Sequence, residues 1–187
     1  MTRLALLRHA DTAWSAAGRI QGRAEVSLLS NCSVRLPEDC RSMRIVTSPL
    51  VRCVQTAALL GMADAVREPR IIEMDWGDWE GKTLAELRRA LGESMAENEA
   101  RGLDFRPAGG ESPREVIERI KPWLRDVATA GVPTLAVTHR GVIRAVLSEA
   151  AGWDMRSKPP AKLDWHAVHF FNLDQQGRPS IERLNVQ

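Results

Sequence analysis

The sequence predicts an α/β fold: a three-layer sandwich in which a mainly parallel sheet has helices on both faces and an antiparallel edge strand. Two observations predict it. Short apolar runs without polar alternation are typical of parallel strands that are buried on both faces. Segments with helical periodicity and defined end signals lie between these runs. No repeat or low-complexity tract divides the 187 residues, so we expect one domain over residues 1–187.

The candidate strands fall into two groups. The predicted parallel strands are Leu4 to Leu7, Arg44 to Thr47 and Thr134 to Thr138. Near the C-terminus, Val168 to Leu173 and Ile181 to Leu184 flank a turn that contains glycine. Two apolar segments joined in this way predict a hairpin. We therefore expect the hairpin to form the antiparallel edge of the sheet.

Two helices are predicted directly after parallel strands. Ser48 can cap a helix whose first residue is Pro49 and which stops at Gly61. The apolar period of Val142 to Ala151 predicts a second helix, which ends at Gly152. This alternation of strands and helices indicates an α/β fold.

Two further helices begin with capping boxes. Thr83 is followed three residues later by Glu86, and Ser112 by Glu115. In this pattern each side chain bonds the other residue's backbone N–H. Pro122 lies inside the second of these helices and is expected to kink or shorten it.

Composition and charge exclude several kinds of partner. The 26 Lys and Arg residues against 24 Asp and Glu give a net charge of +2, which does not indicate nucleic acid or a membrane surface. No apolar stretch approaches the roughly 18 residues of a membrane span. Three cysteines without metal-site spacing indicate unpaired thiols in a reducing compartment. We therefore expect a cytoplasmic protein, with the choice between monomer and homodimer left open.

No sequence motif indicates a metal or a nucleotide cofactor. HExxH, CxxC, GxxxxGK[ST] and GxGxxG patterns are absent from the sequence. His166 and His169 are three residues apart, but we assign both to a strand, where they would face opposite ways. We therefore expect neither metal nor cofactor.

Basic and imidazole side chains follow all three predicted parallel strands. Arg8 and His9 end the first strand, Arg52 lies one turn inside the helix after the second, and His139 follows the third. Because ligands of open α/β sheets bind at the carboxyl ends of strands, we expect these side chains to converge. One such residue alone would most often be a surface arginine or a hydrogen-bonded histidine, whereas four favour a shared site.

These residue types suit phosphoryl transfer. Guanidinium groups match phosphate oxygens and stay charged, so Arg8 and Arg52 can hold a phosphoryl dianion. A neutral imidazole whose other nitrogen is fixed as N–H by a backbone carbonyl can attack phosphorus, and His9 or His139 could do so. Arg140 follows His139 and can add charge to the pocket.

The leaving oxygen also needs a proton, for which a carboxylic acid of raised pKa is the usual source. The segment Ile71 to Gly81 offers four carboxylates beside two tryptophans, namely Glu73, Asp75, Asp78 and Glu80. The residues alone do not choose among these four. The apolar residues before Glu73 favour burial and hence a raised pKa there.

Six segments, in this order, resemble the histidine phosphatase superfamily, the phosphoglycerate mutase-like group. They are Leu6 to Thr12, Gly18 to Arg23, Ser48 to Ala57, Glu73 to Gly81, Gly109 to Ser112 and Val137 to Arg144. Together they extend over nearly the whole chain. The Asp78 to Gly81 and Gly109 to Ser112 runs look like the branch that includes α-ribazole phosphatases and broad-specificity phosphatases.

The resemblance implies a phosphoglycerate mutase-like fold and a role for each candidate residue. His9 is implied as the phosphorylated nucleophile, and Glu73 as the general acid and then the base for water. Arg8, Arg52 and His139 are implied to complete the catalytic pocket. The residues expected to bind substrate phosphate are Arg8, Ser15, Gln21, Gly22, Arg52, His139 and Arg140.

Three features depart from the family's usual pattern. Ala10 and Ser15 stand where the family usually has Gly and Asn. With a positive φ, Ala10 would be strained by about 1 kcal/mol; Ser15 keeps a hydroxyl donor but has a shorter reach. The stretch Ser27 to Arg44 looks shorter than the family's first crossover, and Pro37 would interrupt any helix there.

We therefore expect a metal-independent hydrolase of small phosphomonoesters that forms a phosphohistidine on His9, with Glu73 as acid and base. The alternatives are phosphoglycerate mutase-type transfer and a catalytically silent phosphate-binding or regulatory relative. A mutase needs additional loops to exclude water, and only Gly92 to Arg106 is free to form a lid, which favours hydrolysis.

Overall fold

A computed structural model describes residues 1–187, which form a six-stranded sheet in the order β3-β2-β4-β1-β5-β6. The strands are β1 (Thr2–Arg8), β2 (Arg44–Thr47), β3 (Val66–Arg67), β4 (Thr134–Thr138), β5 (Val168–Leu173) and β6 (Pro179–Val186). Strands β1 to β4 pair in parallel, whereas β5 is antiparallel to both β1 and β6. The predicted mainly parallel sheet with an antiparallel edge is confirmed.

The helices connect these strands in chain order. They are α1 (Ala13–Ala16), α2 (Val51–Leu59), α3 (Leu84–Leu91), α4 (Glu93–Glu99), α5 (Pro113–Ala130) and α6 (Arg140–Ala151). Both predicted capping boxes form, from Thr83 to Glu86 and from Ser112 to Glu115. Of the kink or shortening expected at Pro122, the shortening does not occur, because α5 continues through this residue. Its buried apolar face and the left-handed Gly131 at its end outweigh the missing backbone bond.

The sheet is covered on both faces, as the three-layer prediction requires. Leu4 and Leu6 of β1 belong to the larger core cluster, together with the buried residues of α5 and α6. Ala5 and Leu7 belong to a second cluster, which includes Cys53 of α2. Because successive side chains of a strand point to opposite faces, the apolar run of β1 packs against both layers.

The segment 27–44 covers part of the second face without an α-helix. Its one helical piece is the 3-10 turn Glu38–Cys40, directly after Pro37, the residue expected to interrupt a helix here. Asp39 in this turn accepts a hydrogen bond from Arg3 of β1 at 2.9 Å and another from Arg183 of β6. Ion pairs to β1 and β6 therefore help to hold this segment against the sheet.

Two further expectations concern cysteines and membrane spans. Cys32, Cys40 and Cys53 are unpaired, as predicted. None of the helices combines the length and the apolar character needed to cross a bilayer.

Candidate active site

The carboxyl ends of the central strands bring the predicted histidines together. Strands β1 and β4 are neighbours in parallel register, with Arg8 opposite Thr138. His9 donates its backbone N–H to the Thr138 carbonyl at 2.9 Å, and the rings of His9 and His139 lie 5.4 Å apart, centroid to centroid. The predicted convergence therefore follows from strand pairing.

The backbone around His9 fixes the orientation and tautomer of its ring. Nδ1 lies 2.7 Å from the carbonyl oxygen of Ala10, and because a carbonyl only accepts, Nδ1 carries the proton. Ala10 donates its own N–H to the Thr56 hydroxyl at 3.0 Å, and this hydroxyl donates to the carbonyl of Arg52 at 2.6 Å. The ring is thus held with Nε2 unprotonated, and Nε2 makes no hydrogen bond.

Burial and positive neighbours keep both histidines neutral. Burial lowers the pKa of His9 well below its ordinary value, and the charges of Arg8 and Arg52 lower it further. Burial likewise lowers the pKa of His139, with Arg52 as the next cause. A neutral imidazole retains the lone pair that a nucleophile needs.

Two buried guanidinium groups lie beside His9 with unused donors. Arg8 and Arg52 are 8% and 0% exposed, and the Nε atom of each is buried without a hydrogen-bond partner. Arg8 makes one long hydrogen bond, 3.4 Å to Asp11. Buried donors are rarely unpaired in folded proteins, so these two groups are suited to an anionic ligand.

Glu73 is buried, as the apolar residues before it in the sequence suggested. Its carboxylate is 8% exposed, and Oε1 accepts the backbone N–H groups of Met74 at 2.9 Å and Gly141 at 3.0 Å. Burial nevertheless raises the pKa of Glu73, against the opposing effect of these hydrogen bonds and of Arg52. The acid is therefore oriented through Oε1, and Oε2 is left without a hydrogen bond.

Ser48 holds His139 and does not cap a helix. The predicted helix start at Pro49 is wrong, because α2 begins at Val51 and has no side-chain cap. The hydroxyl of Ser48 instead lies 2.7 Å from Nε2 of His139. Cys53 of α2 also contacts this nitrogen, at 3.4 Å. Burial raises the pKa of the Cys53 thiol, so we expect it to pack and not to react.

A short loop positions the guanidinium of Arg52. Nη2 donates to the Gly22 carbonyl at 2.6 Å and Nη1 to the Ala24 carbonyl at 2.8 Å. The carboxylate of Glu80 accepts the backbone N–H groups of Arg23 and Ala24 on the same loop. Gly22 has a φ of +52°, and a Cβ placed there would lie 2.0 Å from Oε1 of Glu80. The loop therefore requires glycine at this position for both reasons.

We expect Gly22→Ala to weaken phosphate binding as well as stability. The left-handed backbone costs about 1 kcal/mol of unfolding free energy, and the displaced Glu80 shifts the carbonyls that hold Arg52. Urea unfolding and competitive inhibition by inorganic phosphate measure the two effects. Gly131→Ala is the control, since Gly131 has a φ of +66° and open space around it. An equal phosphate inhibition constant in both variants would contradict this role of the loop.

Ser15 and Gln21 are held by Thr12 at the edge of the cleft. The Ser15 hydroxyl accepts the Thr12 N–H and donates to Asp11 at 3.0 Å, and Gln21 accepts from the Thr12 hydroxyl at 2.8 Å. Both residues line the cleft beside His9. The backbone strain that a positive φ would cause at Ala10 is absent, because the φ of Ala10 is not positive.

The cleft in front of His9 has a volume of about 1310 Å³. Arg8, His9, Gly22 and Glu73 line it, whereas Arg52 and His139 are fully buried behind this lining. The predicted lid segment contributes Glu99, Gly102 and Phe105 to the lining.

Other cleft residues were not found from the sequence. Arg140 is where the sequence placed it, but Arg144, Lys162 and Trp165 were missed. His166 is an exposed cleft residue before β5, so its assignment to the strand is wrong; His169 is in β5. The i, i+4 spacing of Arg140 and Arg144 was a signal for one of these, since it places both on one helix face.

The fold and this site define a phosphoryl-transfer enzyme of phosphoglycerate mutase-like architecture. Residues 4–187 match the histidine phosphatase superfamily (branch 1). The chain therefore belongs to the histidine phosphatase superfamily, and it is a phosphatase.

Individual relatives agree with this assignment. Phosphoserine phosphatase 1 of Hydrogenobacter thermophilus is 29% identical over 199 residues, which cover 100% of this chain and 93% of the relative. A glucosyl-3-phosphoglycerate phosphatase of Mycolicibacterium vanbaalenii is 30% identical over 179 residues, 84% of this chain and 77% of the relative. The fold alone is shared with the phosphoserine phosphatase of Entamoeba histolytica, solved with 3-phosphoglyceric acid, which superposes with a TM-score of 0.82 at 23% identity over 100% of this chain and 98% of the other.

Proposed function

We propose that this protein is a metal-independent phosphomonoester hydrolase that forms a phosphohistidine on His9 and acts on a small-molecule substrate. One observation carries the proposal. The unprotonated Nε2 of a buried, neutral His9 lies beside two buried arginines whose Nε–H groups have no partner. An anionic phosphoryl group supplies what these donors lack and presents phosphorus to the nucleophile.

The first half-reaction transfers the phosphoryl group to His9. Its Nε2 lone pair attacks phosphorus, and the bond from phosphorus to the leaving oxygen breaks. Glu73 gives its proton to that oxygen, so the product leaves as a neutral alcohol. The charges of Arg8 and Arg52 stabilise the transferred group, and charge stabilisation with positioning supplies most of the acceleration in such reactions.

The second half-reaction returns the enzyme to its starting state. Glu73, now a carboxylate, takes a proton from water as the water oxygen attacks phosphorus. The bond from phosphorus to Nε2 breaks, inorganic phosphate leaves, and His9 is again neutral. The hydrogen bond from Nδ1 to the Ala10 carbonyl persists through both steps and stabilises the ring while it carries the phosphoryl group.

Relatives support the metal-independent part of the proposal. The metal-independent phosphoserine phosphatase of Arabidopsis thaliana is 29% identical over 160 residues, 78% of this chain and 67% of the relative. In the proposed mechanism, Arg8 and Arg52 supply the positive charge that a metal ion supplies in other phosphatases. The predicted cytoplasmic location stays a prediction.

The test is hydrolysis of p-nitrophenyl phosphate in the presence of a chelator, combined with trapping of the phosphoenzyme. We expect full activity with chelator and, after rapid quenching in base, a phosphoprotein that is labile to acid. Release of inorganic phosphate without transfer to added 3-phosphoglycerate separates a hydrolase from a mutase. Loss of activity with chelator, or a phosphoprotein that survives acid, would overturn the proposal.

A further inference from the structure

Three cations on one side of the cleft lack an acidic partner. Arg140, Arg144 and Lys162 line the cleft, and the side chain of none of them forms a hydrogen bond or a salt bridge with another residue. Elsewhere in the lining, Arg88 is paired with Glu99 at 2.7 Å. The positive charge of the three is therefore available to a ligand.

The acids of the cleft are already engaged elsewhere. Asp11 accepts from Ser15 and lies near Arg8. Glu73 accepts two backbone N–H groups. Asp164 accepts the backbone N–H of His166 at 2.9 Å and a bond from Gln187 at 3.1 Å. No carboxylate of the cleft therefore neutralises the three cations through a direct contact.

Aromatic rings hold the two arginines in place. The guanidinium carbon of Arg140 lies 4.5 Å from the ring centre of Trp165, and that of Arg144 lies 5.1 Å from Trp153. A cation–π contact keeps a guanidinium group near the ring while its N–H groups stay free for other partners. The two residues are one turn apart on α6, and their like charges are close enough for Arg140 to lower the pKa of Arg144 beyond the effect of burial.

Arg140 and Arg144 lie on the side of the cleft where Glu73, the proposed proton donor to the leaving oxygen, is held. Gly141, which follows Arg140, donates its N–H to Oε1 of Glu73 at 3.0 Å, and Glu73 is the proposed proton donor to the leaving oxygen. A leaving alcohol that reaches Glu73 therefore lies next to the first turn of α6, where Arg140 is close enough for the charge of Glu73 to act on it.

We propose that Arg140 and Arg144, with Lys162 at the rim, form a second anion site, which binds an anionic group on the leaving alcohol. The inference rests on the proposed function and narrows its substrate class. The substrates would be phosphomonoesters whose alcohol carries a carboxylate or a second phosphate. A carboxylate suits the geometry because a guanidinium edge binds its two oxygens together.

Matched substrate pairs test the second anion site. 3-Phosphoglycerate and glycerol 3-phosphate differ in one carboxylate, and fructose 1,6-bisphosphate and fructose 6-phosphate differ in one phosphate. We expect wild-type kcat/KM to favour the anionic member of one pair by roughly 10- to 100-fold, as expected for a hydrogen bond to a charged group. The pair that shows the preference identifies the anion.

Variants assign the preference to the two arginines. Arg144→Gln and Arg140→Gln are each expected to reduce the ratio of kcat/KM within that pair toward one. Lys158→Gln makes the same change of charge on an exposed residue outside the cleft, and is expected to keep the wild-type ratio. Equal turnover within both pairs by the wild type, or an unchanged ratio in both arginine variants, would overturn the second anion site.

Failure of the proposed function gives a different result. A metal requirement or an acid-stable phosphoprotein leaves the ratios within the matched pairs measurable, whereas a protein without hydrolytic activity hydrolyses neither these esters nor p-nitrophenyl phosphate. Calorimetric binding of each matched pair then tests the second anion site alone, with tighter binding of the anionic member and its loss in Arg144→Gln as the supporting outcome. Equal affinities within both pairs would overturn it.

Discussion

Replacement of His9 by alanine is expected to abolish turnover of p-nitrophenyl phosphate, with a loss of at least about a thousandfold in kcat. The variant lacks the nitrogen that accepts the phosphoryl group. In the structure, His139 cannot substitute, because its Nε2 is engaged by Ser48 at 2.7 Å and its side chain is fully buried. The same variant should yield no acid-labile phosphoprotein when it is quenched during turnover.

Phosphate binding by the His9→Ala variant separates lost chemistry from lost folding. The variant keeps Arg8 and Arg52, whose buried Nε–H groups are the unpaired donors of the site. We therefore expect inorganic phosphate still to raise its melting temperature, since a ligand that binds only the folded state stabilises that state. Hydrolysis at the wild-type rate, or a phosphoprotein of wild-type yield, would refute the role of His9 as nucleophile.

The sequence predicted the frame of the site well, because that frame depends on buried strands. The runs Arg44–Thr47, Thr134–Thr138 and Val168–Leu173 form strands with the predicted bounds. The first two are short apolar runs that helices follow, and the third leads into the glycine-containing turn of a hairpin, so local pattern and tertiary burial agree. Convergence of Arg8, His9 and His139 then follows from parallel pairing alone.

Local sequence patterns did not predict the structure correctly where a side chain makes contacts within the candidate active site. Ser48 has the side chain of an N-cap and precedes proline, yet its hydroxyl pairs with His139 and α2 begins later. The choice of Glu73 among four nearby carboxylates could not be made from spacing, since its raised pKa depends on burial against α6. Functional contacts of this kind override local propensity.

The far side of the cleft was the least predictable part. Lys162, Trp165 and His166 lie on the connection between α6 and β5, which has neither a strand nor a helix period. Such loops carry specificity without a local sequence pattern. The position of these residues along the cleft and the contact of Trp165 with Arg140 show that this loop belongs to the site.

Replacement of Glu73 by glutamine is expected to lower kcat for alkyl phosphates by about 10²- to 10⁴-fold, the usual contribution of a general acid. Glutamine keeps an oxygen for the N–H groups of Met74 and Gly141 but has no proton to transfer. The loss should be much smaller for p-nitrophenyl phosphate, whose leaving group is stable as an anion. Glu97→Gln, an exposed change of equal charge on α4, is expected to match the wild type with both substrates.

The pH dependence of wild-type hydrolysis of alkyl phosphates follows from the protonation of His9 and Glu73. His9 must be neutral to attack, and because its pKa lies well below the ordinary 6.5, activity should persist below pH 6.5 and fall only as His9 takes up a proton. Glu73 must be protonated to act as the acid, and because burial raises its pKa above the ordinary 4.5, activity should fall as pH rises through that raised value. The second pKa of the substrate phosphate is itself about 6. The pH profile of Glu73→Gln, which contains the substrate titration but not that of Glu73, is therefore the reference. A decline at high pH that is identical in Glu73→Gln and the wild type would assign the acid to another group.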